Sequence, residues 1–430
     1  MALAGAAVIA VGMLFSCTSK APKSLVTTPN TTAVKASQTH REPVRGVWLT
    51  TVSRLDWPPV GSIIASTPES RITQQKLALI AKLDNLQRLG INTVFFQVKP
   101  DGTALWRSDI LPWSDMLTGK IGEYPGYDPL QFMLDEAHKR GMKVHAWFNP
   151  YRVSVNTKPS TVAELNNTLT QVPASVFVLH RNWIRTASDR FVLDPGIPEA
   201  RDWITSIGAE VVQNYPIDGV QFDDYFYTET ASSQLNDNET FSSYGQGYAS
   251  KGDWRRHNTQ QLIAQVSTTI KKLNPNVEFG VSPAGVWRNR SHDPAGSDTR
   301  GAAAYDESYA DTRSWVQQGL LDYIAQQIYC PFARDAARYD VLANWWAEVV
   351  KPTHTRLYIG VALYKVGEPS KNEPDWTVDG GVPELKKQLD LNETLPQIQG
   401  TILFRENNLN QPQTRQAVNY LRSRWGQPQS

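Results

Sequence analysis

The chain has 430 residues, and its 43 Lys and Arg nearly balance 42 Asp and Glu, which excludes a nucleic-acid or anionic-membrane surface built on net charge. Two cysteines exclude a disulfide framework, and no Cys-His spacing points to zinc; no metal or cofactor is implied. With 14 Trp, 16 Tyr and 13 Phe, many outside strand-like runs, the composition favours an aromatic cleft, because flat rings pack on the apolar faces of sugars.

Residues 1–17, MALAGAAVIAVGMLFSC, form an apolar run closed by Cys17 and followed to about His40 by a polar Thr/Ser/Pro/Lys segment. This is the pattern of a bacterial lipoprotein signal, with Cys17 the lipidated residue and residues 18–43 a flexible tether. Phe15 stands where a small residue is usual and no basic residue precedes the run, so a plain secretory signal with an incidental Cys is the competing reading. The apolar stretch is short for a membrane span.

Gly46–Thr50 reads as a first strand whose loop is flanked by Trp48 and Trp57. A helix over 71–89 carries Leu77, Ile80, Leu83 and Leu86 at helical spacing and stops at Gly90. INTVFFQV (91–98) is a buried-strand run, Asp128 or Pro129 opens a helix to Arg140, and KVHAWF (143–148) is a third strand. An insertion of roughly 45 residues then precedes a helix from about 198 to 214 and a fourth strand at 218–222. Helices near 253–273, 308–318, 337–350, 382–391 and 412–425 alternate with strands beginning at 278 and within 321–330, 356–364 and 400–406. Strand-helix units of this kind, with apolar β-rich strands and no internal hairpin, predict an α/β fold: a (β/α)8 TIM-type barrel over residues 44–427 with long βα-loop insertions. Active sites of such barrels lie at the C-terminal strand ends.

The stretch DGVQFDDYFY (218–227) delivers adjacent carboxylates, Asp223 and Asp224, into an aromatic run. Like charges on neighbouring residues, partly desolvated by aromatics, raise at least one pKa, as acid/base chemistry requires. Strand alternation favours Asp223 as the inward-facing one, with Asp224 pointing away unless the strand has begun to turn, and Asp218 ordering the turn into the strand. Other polar or aromatic residues just past a strand are Lys99, Asp101, Asn149, Arg152, Tyr225, Trp287, Gln327, Tyr329 and Tyr364 as substrate-binding candidates, and Glu406 as a third catalytic carboxylate or a partner of Arg405 or Arg152. Two carboxyl groups flanking a glycosidic bond are the usual machinery of glycoside hydrolysis. His145, inside a strand, reads as a hydrogen-bonded core histidine or a base.

The strings RGVWLTTVSRLDWPP, NTVFFQVKPDGTALW, GMKVHAWFNPYRV, DGVQFDDYFY, FGVSPAGVWRNRSHDPAGSDTRGAAAYDESYADTR and GTILFRE closely resemble the glycosyl hydrolase-like 10 family of bacterial lipoproteins, from about Arg45 to Trp425. The resemblance implies a lipid-anchored outer-membrane protein facing the periplasm, acting on peptidoglycan glycan strands that lack stem peptides. A role at the division site, with division-machinery proteins as possible partners, follows by the same resemblance. Cys330 falls where the family pattern has an aromatic. Peptidoglycan sugars carry 2-acetamido groups, and Asp223 and Asp224 look similar to the carboxylate pairs that use such a group as internal nucleophile. The chitinase pattern DG-x-D-x-D-x-E is broken, by Gln221 and Tyr225. Alternatives are a glycan-binding lipoprotein without turnover, a glycosidase of another exported polysaccharide, and a lyase.

Overall fold

The computed structural model describes residues 41–227 and 235–426; Cys17 and most of the expected tether lie outside these. In chain order the strands are β1 (Val44–Leu49), β2 (Thr93–Lys99), β3 (Lys143–Phe148), β4 (Ile184–Ala187), β5 (Arg190–Leu193), β6 (Gly219–Phe222), β7 (Glu278–Val281), β8 (Tyr323–Gln327), β9 (Arg356–Val361) and β10 (Ile398–Leu403). All except β4 and β5 join a closed parallel barrel in the order β1-β10-β9-β8-β7-β6-β3-β2. The main helices between them are α1 (Pro68–Arg88), α2 (Pro129–Lys139), α3 (Pro198–Asn214), α4 (Lys251–Leu273), α5 (Thr312–Gln317), α6 (Tyr339–Val350), α7 (Val382–Thr394) and α8 (Arg415–Trp425). This is the (β/α)8 barrel that the sequence predicts. Among the described residues no helix is long and apolar enough to cross a membrane.

Local signals set the helix starts. Pro occupies the first turn of α1, α2 and α3, where its missing N–H costs nothing, and the Thr67 and Asp128 side chains cap α1 and α2. The buried face of α1 is Gln75, Leu79, Leu83 and Leu86, whereas Leu77 is exposed. The expected stripe is thus corrected at its start: Leu79, Leu83 and Leu86 share one face, and Leu77 does not.

The period of two along each strand builds two cores. On β2, Val94, Phe96 and Val98 belong to the layer under the helices, while Phe95 packs in the lumen with Trp48, Trp147, Tyr323, Tyr358 and Ile402. Rings of this size need small neighbours. A Cβ at Gly280 would come within 2.3 Å of the Tyr323 ring, and one at Gly219 within 2.4 Å of His145 Nδ1, so glycine on one strand makes room for a ring on the next.

Among the described residues one hairpin interrupts the strand-helix alternation. Within the insertion after β3, β4 pairs antiparallel with β5 through Ser188 and Asp189, both at positive φ (51° and 55°). A turn with two such residues is normally announced by Asn-Gly or Asp-Gly. Ser-Asp carries it here without glycine, which is why the sequence shows no internal hairpin. Backbone bonds from Val153 N to Phe191 O and from Leu193 N to Tyr151 O, both 2.9 Å, fasten the hairpin to the loop leaving β3.

Candidate active site

β6 is apolar except for Gln221, which faces the lumen. Its Oε1 accepts from Trp48 Nε1 at 2.7 Å and its Nε2 donates to Tyr323 Oη at 3.2 Å. Two residues on, Asp223 is buried. The strand has ended at Phe222, and the turn that follows brings half-buried Asp224 to the same cleft as Asp223. Asp218, at the other end of β6, accepts from Val144 N at 2.8 Å and contacts His138 Nε2 at 2.9 Å, ordering the strand entry.

The cleft, about 360 Å3 in volume, opens at the C-terminal mouth of the barrel. On its floor the Asn149 Nδ2 group donates to Asp223 Oδ2, and Tyr225 N–H donates to Oδ1 at 3.2 Å. Burial pushes the Asp223 carboxyl up to about 8, repulsion from Asp224 adds to the rise, and Arg152 opposes it. Asp223 therefore keeps a proton at neutral pH. Trp147, a second lumen residue at this level, lines the cleft beside Asp223; its buried indole N–H has no hydrogen bond of ordinary geometry.

Six of the expected binding residues, Asn149, Arg152, Tyr225, Gln327, Tyr329 and Tyr364, line this cleft together with Ser282. The Arg152 guanidinium stacks 4.6 Å above the Tyr225 ring, and its Nη1 donates to Pro100 O at 3.3 Å. Gln327 Nε2 donates to Ser282 O at 2.7 Å. The opposite wall is aromatic. Tyr329 stacks on Phe404 with centroids 5.7 Å apart, Tyr364 meets Tyr329 edge-on at 5.7 Å, and Trp48 meets Phe404 at 5.8 Å.

The structure places the remaining candidates elsewhere. Lys99 is buried, and its Nζ donates to the carbonyls of Asn149 (2.8 Å), Arg152 (3.3 Å) and Pro150 (3.4 Å). Burial lowers its pKa to about 7. It ties down the loop that presents Asn149 and Arg152 instead of lining the cleft. Asp101 is buried with Thr103, accepting from its hydroxyl at 2.5 Å and its N–H at 3.0 Å. Trp287 donates to Asp311 Oδ1 at 2.8 Å and stacks on Trp345, away from the cleft. Glu406 is fully buried and accepts from Lys82 Nζ of α1 at 2.6 Å, while Arg405 pairs with Asp56. The expected partnership of Glu406 with Arg405 or Arg152 is thereby corrected, and its carboxyl is turned toward the helix layer. Cys330 packs against the outer core, also off the cleft wall.

His145 is a core histidine. Its Nδ1 lies 2.9 Å from Tyr323 Oη, and burial lowers its pKa to about 4, so it is neutral. Residues of the cleft that sequence reasoning passed over are Thr50, Val52, Leu55, Gln97, Trp147 and Phe404, with Trp48 noted only beside its loop. Among the described residues no group of three or more His, Cys, Asp and Glu side chains is placed to hold a metal ion.

A protonated carboxyl beside a second one, facing stacked rings across an open cleft, suits cleavage of a glycosidic bond in a barrel of this kind. The fold and site define a glycosidase. The chain belongs to the Glycosyl hydrolase-like 10 family, whose pattern matches residues 43–378. It is 75% identical over 415 residues to Glycosyl hydrolase DigH of Escherichia coli (strain K12), covering 96% of this chain and 94% of that one. Glycosyl hydrolase YngK of Bacillus subtilis (strain 168) is 42% identical over 377 residues, 87% of this chain and 70% of the other. Among solved structures, alpha-L-fucosidase isoenzyme 2 from Paenibacillus thiaminolyticus shares the fold, with a TM-score of 0.50, 14% identity, and 89% of this chain matched to 48% of that one.

Proposed function

We propose that this glycosyl hydrolase cleaves the glycan strands of peptidoglycan from which stem peptides have been removed, using Asp223 and Asp224. The observation that carries the reading is the buried Asp223, its pKa raised to about 8 beside a second carboxyl in an aromatic cleft. Tyr329, Phe404, Tyr364 and Trp48 offer faces for sugar rings, and Arg152 offers a cation to the carboxylate of muramic acid. Arg288, the other arginine that could meet such a group, is held by Asp306 (2.9 Å) and Asp293 (3.2 Å). Anchorage through Cys17 to the outer membrane, facing the periplasm, sets the enzyme where peptide-free strands form during division.

In the proposed mechanism Asp223 gives its proton to the leaving glycosidic oxygen. Asp224 accepts a hydrogen bond from the N–H of the 2-acetamido group, and the acetamide oxygen attacks the anomeric carbon as the C–O bond to the leaving group breaks. Water then opens the resulting oxazolinium ring, giving its proton to the Asp223 carboxylate. Two displacements at one carbon retain the anomeric configuration.

The test is to incubate the protein with peptide-free strands, intact sacculi and chitin oligomers, and to analyse products by mass spectrometry. Saccharides with reducing ends from peptide-free strands alone are expected. Equal cleavage of chitin or intact sacculi contradicts the substrate, anhydro ends mean a lyase, and a sugar ester on either Asp replaces acetamide assistance with direct attack.

A further inference from the structure

Gln97 sits within β2, a strand whose every residue is buried, two residues after Phe95 and so on the same lumen-facing side. Its Oε1 accepts two backbone N–H groups from the loop after β1, Thr51 N at 2.8 Å and Val52 N at 2.9 Å. A backbone N–H can only donate, so these two bonds fix which end of the Gln97 amide is oxygen. Nε2 is then committed to the other side, where it donates to Asn149 Oδ1 at 2.6 Å. That bond in turn fixes the Asn149 amide, leaving Nδ2 to face Asp223 Oδ2. Every polar atom along the chain has one possible role, and the polarity is dictated from the backbone.

From this geometry we infer that Gln97 is a positioning residue. It holds Asn149 as an obligatory donor to Asp223 Oδ2 and so assigns the acid proton to Asp223 Oδ1. A carboxylic acid accepts best at its carbonyl oxygen, and Asn149 compels Oδ2 to be that oxygen. The longer contact from Tyr225 N–H to Oδ1, 3.2 Å, is compatible with a hydroxyl there. Were Asn149 turned over, its oxygen would draw the proton onto Oδ2, into the protein instead of toward a substrate. The inference rests on Asp223 being the acid of the proposed reaction.

Other charges act on Asp223 from the elements around it: Asp224 on its own strand end, Arg152 from the loop after β3 and Lys99 from β2, itself next to Asp101. Tyr329, after β8, faces Asp224. The test must therefore separate the relay from an added charge. In the full-length protein, Gln97→Glu keeps an acceptor for Thr51 and Val52 but cannot donate to Asn149. Gln97→Met removes the relay without adding charge.

On peptide-free glycan strands, Gln97→Glu is expected to lower kcat about tenfold to a hundredfold with KM within about twofold, the size of a lost hydrogen bond to an ionisable group. Its alkaline limb should move up by about one pH unit, since an Asn149 oxygen no longer supports the Asp223 carboxylate. Gln97→Met should shift the limb the same way by less. A readout independent of turnover is 13C NMR of Asp carboxyls, in which the Asp223 resonance is identified by its loss in Asp223→Asn. That resonance should titrate at higher pH in both Gln97 variants. An unmoved resonance in folded Gln97→Met, with only the Glu variant shifted, means the effect is charge and overturns the relay. A shifted resonance in both variants, with no turnover of any glycan by the wild type, upholds the relay and overturns the catalytic reading.

Discussion

The two walls of the cleft are built on different physics. The wall from β2, β3 and β6 is polar and locked by hydrogen bonds of fixed direction: Gln97 to Asn149, Asn149 to Asp223, Lys99 to three loop carbonyls. The wall completed by residues after β8, β9 and β10 is a run of rings, Tyr329, Tyr364 and Phe404, held by packing. Directional bonds fix a proton donor to within the tolerance that chemistry needs, whereas ring stacking accepts the apolar face of a sugar without dictating one orientation. The first wall should therefore govern kcat and the second KM.

Asp223→Asn is the largest expected break in that contrast. It should cut kcat by about 10²–10⁴ while strands still bind, measured by turnover and by co-sedimentation. Next is the comparison of Asp223 with Glu406, another buried carboxyl with a raised pKa but one paired with Lys82. Lys82→Met leaves Glu406 buried and unpaired, and should cost about 3 kcal/mol in denaturant unfolding with kcat unchanged. On the aromatic wall, Phe404→Ala should raise KM about tenfold with little change in kcat, since it removes a sugar platform and the support of Tyr329.

The smallest effect is on stability. Burial pushes the folded Asp223 carboxyl up to about 8, whereas the unfolded one keeps the ordinary aspartate value of 3.8. Between these limits the folded protein binds the extra proton, so stability from this group is full below pH 4, declines as pH rises, and is lost above 8. Asp223→Asn removes that decline, although its amide satisfies one of the two donors now facing the carboxylate. The difference in Tm between variant and wild type should accordingly grow in the variant's favour by a few degrees from pH 5 to pH 9.

Much of this was legible in the sequence because barrel strands are short apolar runs bounded by helices with proline starts, and because Asp223, Asn149 and Arg152 follow directly on such runs. Position past a strand does not say which way a side chain turns. Lys99, Trp287 and Glu406 satisfied that test and point into the protein, where carbonyls, Asp311 and Lys82 meet them. Gln97 and Trp147 were missed for the opposite reason: they lie within strands, where alternation aims them at the lumen. The available signal was a lone amide in an otherwise apolar stretch of β2, the same signal that Gln221 gives in β6. Phe404 follows β10 and looks like core by type; its place on the cleft wall comes from its contacts with Trp48 and Tyr329.

The most direct measurement is the pH dependence of kcat/KM on peptide-free glycan strands between pH 4 and pH 10. With Asp223 as the acid, activity should fall as pH rises through about 8, the pKa that burial and Asp224 impose. Activity that stays level to pH 10, or that rises through this range, would contradict a proton held on Asp223.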